Sequence, residues 1–186
     1  TNKAIDCLKK YGQMSDEDKI RLEAEIRFVR ASLYFDLMKR YKEIIIYDED
    51  LSAYTKDKKL STEAQGWDFI YNDLKFAGDN LPAKETAKGR LNKGMAWAFM
   101  TRAMLYAERW DVVKAAADEV DKLGYTLEKK YADVFTKGIG AGNTEAIIQY
   151  QFDRTNDVTH SYDFYYTPGG DFASKGEQGG GYGTPT

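Results

Sequence analysis

Cysteine and histidine are nearly missing from this chain: Cys7 and His160 are the only ones in 186 residues. A lone cysteine excludes an internal disulfide and leaves the redox compartment unset. A lone histidine excludes two-histidine zinc motifs and leaves any catalytic triad resting on one residue, with Ser161 merely adjacent in sequence. Long apolar runs are absent too. Ile44-Ile45-Ile46-Tyr47, like every other apolar run in the chain, falls far short of the roughly 20 residues a spanning helix needs. Neither charge dominates, since Lys+Arg 27 against Asp+Glu 30 gives −3, which argues against an electrostatic nucleic-acid binder. The opening Thr1-Asn2-Lys3-Ala4-Ile5-Asp6 has no apolar signal region and reads as the end of a helix, so a partial chain is expected.

What the chain does have is a repeat. Arg30-Ala31-Ser32-Leu33-Tyr34-Phe35 returns as Arg102-Ala103-Met104-Leu105-Tyr106-Ala107, 72 positions later. That offset is about twice the period near 34 of tetratricopeptide helix pairs. Ala31 and Ala103 let a neighbouring helix approach, and the Leu-Tyr that follows is expected to fill the groove between helices. Such pairs cannot bury their apolar faces alone and stack on one another. An all-α, tetratricopeptide-like scaffold over residues 1–124 follows, with a strand and loop layer over 125–186.

Within the scaffold, a helix end reaches Tyr11 and Gly12 closes it. Ser15 caps a helix from Asp16 to about Arg40, and Asp16, Glu17 and Asp18 suit its first turn better than a metal. Ile26, Val29, Leu33 and Leu37 form one stripe on it and Phe28, Ala31, Phe35 and Met38 another, so two buried faces are expected. Arg27 and Arg30 lie beside these stripes and should snorkel or pair with acids. Ile44 to Tyr47 reads as a short extended segment. Thr62 caps a helix to about Asn80 that presents Trp67, Ile70, Tyr71, Leu74 and Ala77, ended by Leu81-Pro82. Asn92 caps the next, with Ala96, Phe99, Ala103 and Tyr106 inside, and Trp110 begins its partner after a residue or two. Cys7 reads as a half-buried small apolar residue. Ala146 to Phe152 reads as the best strand, and Asp153 onward as a long irregular loop.

Motifs for chemistry are weak. Gly138-Ile139-Gly140-Ala141-Gly142 precedes a strand pattern, whereas a phosphate cradle needs a helix N-terminus, so it reads as a turn. Gly179-Gly180-Gly181 lacks the Lys-Ser/Thr of a phosphate loop. Asp153, Asn156 and Asp157 supply oxygen atoms for calcium, but the twelfth position is Phe164 and the EF-hand spacing fails. Among 30 acids no spacing singles out a glycosidase pair. The tail is richer, because Tyr162, Phe164, Tyr165, Tyr166, Phe172 and Tyr182 fall among Gly and Asp in one irregular segment. Aromatic faces on a loop stack on sugar rings while Asp, Asn and Gln bond hydroxyls; the same rings also serve to anchor a loop.

Glu25-Ile26-Arg27-Phe28-Val29-Arg30-Ala31, continuing to Tyr34-Phe35-Asp36-Leu37 and Tyr41, resembles the signature helix of the SusD/RagB family. Gly89 to Ala96, then Arg102-Ala103, Leu105-Tyr106 and Arg109-Trp110, is similar to its second signature. Tyr125-Thr126-Leu127 with Tyr131 to Phe135, and Asn143 to Ile147, look like the elements that follow. Lys42 to Ile46 departs from the Gly and Pro usual after the signature helix.

The resemblance implies a bundle of helix pairs under an irregular binding layer. It implies non-catalytic capture of a glycan, or a peptide, at the cell surface for a SusC-like TonB-dependent transporter. No cofactor, metal or nucleic acid belongs to that role, and the expected attachment to the outer membrane is a lipid anchor absent from this chain; Cys7 is a poor one, since Asp6 precedes it. Ligand contact is then expected at Tyr162, Tyr166, Phe172 and Tyr182. The rival is a tetratricopeptide adaptor gripping a peptide on its inner helix faces; a glycoside hydrolase comes third.

Overall fold

The computed structural model describes residues 1–55, 57–84, 89–136 and 143–148. All lie in one compact unit, Thr1–Ile148; a second unit covers Gln149–Thr186. The described residues form six α-helices: α1 (Asn2–Tyr11), α2 (Asp16–Met38), α3 (Glu63–Asn80), α4 (Lys93–Tyr106), α5 (Trp110–Asp121) and α6 (Tyr131–Thr136). A 3-10 turn, Leu51–Thr55, lies between α2 and α3. Helix α2 packs on α3, α3 on α4 and α4 on α5, the neighbour-to-neighbour order that helical repeats produce.

Local chemistry sets the helix starts. The Ser15 hydroxyl accepts the Asp18 N–H at 3.1 Å, and the three acids after it sit against the positive helix end. At α3 a reciprocal capping box forms: Gln65 N–H donates to Thr62 Oγ1 at 3.3 Å, and Thr62 N–H to Gln65 Oε1 at 2.9 Å. Asn92 Oδ1 accepts the Met95 N–H at 3.0 Å to open α4. Three residues, Ala107 to Arg109, join α4 to α5, one more than expected, with Glu108 turning the chain at φ 56°.

The core lies between α2, α3 and α4. Phe28, Ala31, Phe35 and Met38 of α2 meet Trp67, Ile70, Leu74 and Ala77 of α3 and Ala96, Met100, Ala103 and Met104 of α4, all buried. The expected second stripe of α2 is not buried: Val29 is 44% exposed, Leu33 55% and Leu37 40%. Helices α3 and α4 take the Phe28-Phe35 face of α2 and leave this stripe outward. Leu33 and Leu105, 55% and 44% exposed, do not fill a groove either, and Tyr106, expected inside, is 56% exposed although its ring meets Phe35 edge-on at 5.2 Å. Cys7 is exposed rather than half-buried.

The extended segment after α2 makes a single bridge, Ile44 to Ser61. The Tyr34 hydroxyl holds it, accepting the Tyr47 N–H at 2.8 Å. No ladder forms among the described residues. Ala146–Ile148, read as the start of a strand, are irregular. Asn143 Oδ1 accepts the N–H groups of Glu145 and Ala146, both at 3.0 Å, so those donors are withdrawn from any strand pairing. Residues 149–152 of that strand and the glycine-rich loop 138–142 lie outside the described residues.

Candidate functional site

The residues chosen from sequence for ligand contact, Tyr162, Tyr166, Phe172 and Tyr182, lie outside the described residues, as do His160 and Asp153, Asn156 and Asp157. Two clusters on the helices concentrate the remaining chemistry. One is a buried ionic knot and the other a cavity.

The knot centres on Arg30, 1% exposed. Its Nε and Nη2 donate to the two carboxylate oxygens of Asp73, each at 2.7 Å, the bidentate fork that guanidinium geometry favours. Its Nη1 donates to Asn2 Oδ1 at 2.7 Å and to Glu49 Oε1 at 2.9 Å. Beside it Arg27 reaches Asp73 at 3.3 Å and Glu23 at 2.6 Å. The two guanidinium groups lie over the rings of Phe76, at 4.4 Å, and Phe69, at 4.7 Å.

Burial works against the Arg30 charge, but the bonds to Asp73 and the field of Asp73 and Glu49 outweigh it and raise its pKa. Burial likewise works against the Glu49 carboxylate, yet its own backbone N–H and the two arginines hold it below the usual range. With Nε, Nη1 and Nη2 of Arg30 all engaged, the knot ties α1, α2, α3 and the Glu49 loop together. It is a clamp, not an acid–base site. Sequence reading placed Arg27 and Arg30 beside acids but missed Asp73, whose signal was a carboxylate between Ile70 and Leu74 on the inner face of α3.

The cavity, about 430 Å³, opens between α3, α4 and α5. Gly78, Trp97, Met100 and Ala116 are its buried lining, with Tyr71 and Val112 half-buried beside them. The Trp97 indole lies hard against Gly78: a Cβ there would come within 2.5 Å of Cε2. A glycine inside a helix was the sequence signal for this contact, and the periodicity reading passed over it. Gly78→Ala should therefore destabilise the chain by about 1–3 kcal/mol through overpacking, despite alanine's better helix propensity. Urea denaturation checks this, and a neutral or stabilising result would refute the close approach. The indole Nε1 is buried and has no acceptor. Among the described residues no cluster of three or more metal-binding side chains occurs, and no helix is long and apolar enough to cross a membrane.

Antiparallel helices stacked in chain order define a tetratricopeptide-like scaffold. Within that class the chain is SusD-like. A SusD-like protein of Bacteroides ovatus is 25% identical over 76% of this chain and 28% of its own length. The crystal structure of a SusD-like protein from Bacteroides fragilis is 36% identical, with a TM-score of 0.60 over 68% of this chain and 26% of that one. A laminarin-binding SusD-like protein shares the fold at 24% identity, with a TM-score of 0.68 over 79% of this chain and 34% of its own. The chain thus spans between a quarter and about a third of these relatives' lengths. No protein-family model matches it.

Proposed function

We propose that this chain is part of a cell-surface protein that captures a glycan without chemical change and passes it to a TonB-dependent outer-membrane transporter. The observation that carries the reading is the SusD-like helical scaffold, together with a laminarin-binding protein that shares it. The helices form the scaffold, and the loop layer of residues 125–186 is assigned the ligand. Tyr162, Tyr166, Phe172 and Tyr182 supply flat faces for sugar rings, with neighbouring Asp and Asn bonding hydroxyls.

The test is calorimetry of the chain against a glycan panel that includes laminarin oligosaccharides, with Tyr166→Ala and Tyr182→Ala alongside. Each loss of a stacked ring should cost on the order of 1 kcal/mol of binding, about fivefold in Kd, with no hydrolysis of the glycan. Binding of peptides alone would replace the reading with a peptide-gripping adaptor.

A further inference from the structure

We infer that the cavity between α3, α4 and α5 is a second, separate carbohydrate socket that holds a single neutral sugar ring or a disaccharide end. The inference rests on the glycan-capture reading for its ligand class, but its evidence is independent of the loop residues. At about 430 Å³ the cavity falls at the small end of the range of small-molecule sites, about 300–1,000 Å³. Its lining combines one aromatic floor, Trp97, with the half-buried ring of Tyr71.

The rim is polar on both counts a hydroxyl needs. The Asp111 carboxylate accepts and the Lys93 ammonium donates, and neither makes a hydrogen bond or ion pair among the described residues. Other rim charges are already engaged: Lys75 with Asp79 at 2.7 Å and Glu119 with Lys122 at 2.5 Å. A sugar hydroxyl both donates and accepts and so serves Asp111 and Lys93 alike. An apolar peptide side chain would fill the floor and make no use of either group.

The Trp97 Nε1, buried and without an acceptor, serves as a reporter on the cavity that its ring lines rather than as a bond to the occupant. Gly78 then has a purpose too, because only a residue without Cβ lets the indole lie in this position.

The probe is the Trp97 indole N–H in the nitrogen-15 spectrum of the labelled chain, distinguished from those of Trp67 and Trp110 by Trp97→Phe. Glucose, mannose, galactose, xylose, cellobiose and laminaribiose are titrated in turn. At least one should shift the Trp97 signal saturably. Ala115→Phe, which fills the cavity from an exposed position on α5, should weaken that response at least tenfold. Asp111→Asn should weaken it three- to tenfold. Tyr166→Ala and Tyr182→Ala should leave it unchanged. Thermal melts of both cavity variants within a few degrees of the parent show that the fold is retained.

Glycan binding by calorimetry with no Trp97 response, or with a response that Ala115→Phe does not alter, overturns the socket and leaves the capture reading standing. Absence of any sugar binding by either method overturns both.

Discussion

Replacing Asp73 by alanine should cost about 3–5 kcal/mol of stability, because it leaves the Arg30 guanidinium buried without its bidentate partner. Both side chains are 2% exposed, so the substitution leaves the guanidinium in a site shielded from bulk solvent. Glu49 remains on Nη1 at 2.9 Å but is itself 28% exposed and compensates only in part. For a chain of this size the loss corresponds to a fall in Tm of roughly 6–20 °C. The double variant Arg30→Met with Asp73→Leu removes both charges and should recover most of it, since a buried ion pair is often no better than apolar groups of similar volume. Thermal and urea denaturation of the two singles and the double give the coupling directly. A loss under about 1 kcal/mol for Asp73→Ala would mean that the knot does not clamp α1, α2 and α3 together.

Truncating Phe35 to alanine should be comparably severe, about 3–5 kcal/mol. The ring is 2% exposed and is the point where three helices meet: Trp67 of α3 at 6.3 Å, and Phe99 and Tyr106 of α4 at 5.4 and 5.2 Å. Leu33→Ala, two positions earlier on the exposed stripe, should change stability by only about 0.5 kcal/mol. The contrast is the informative measurement. Equal losses for Phe35→Ala and Leu33→Ala in this chain would show that the two faces of α2 have been assigned wrongly.

Three of the helices were legible because their starts carry their own chemistry. Ser15, Thr62 and Asn92 cap as their side chains require, and these are short-range bonds that depend on three or four residues. Which apolar stripe is buried was not legible. Val29-Leu33-Leu37 and Phe28-Ala31-Phe35-Met38 have equal claims by periodicity, and only the positions of α3 and α4 separate them. The strand expected at Ala146 failed over its described residues for a local reason that periodicity ignores. Asn143 takes two backbone donors with its side chain.

The cavity was the least legible feature. Its lining comes from Tyr71, Gly78, Trp97, Val112 and Ala116, which are scattered over three helices and share no spacing. Asp73 was hidden for a related reason, since a carboxylate on an apolar face has no meaning until a guanidinium from another helix reaches it.

The amino-acid sequence by itself determined the all-helical scaffold, its caps, its repeat and its likeness to the SusD/RagB family. The scaffold, caps and repeat follow from periodicity and from contacts a few residues apart, whereas the likeness rests on the motif residues themselves. Tertiary structure alone decided that Arg30 is clamped by Asp73, that one stripe of α2 faces outward, and that Gly78 and Trp97 floor an open cavity. Each depends on pairing residues 19 or more positions apart, and the energy of such a pair is set by burial and geometry that only the packed helices supply.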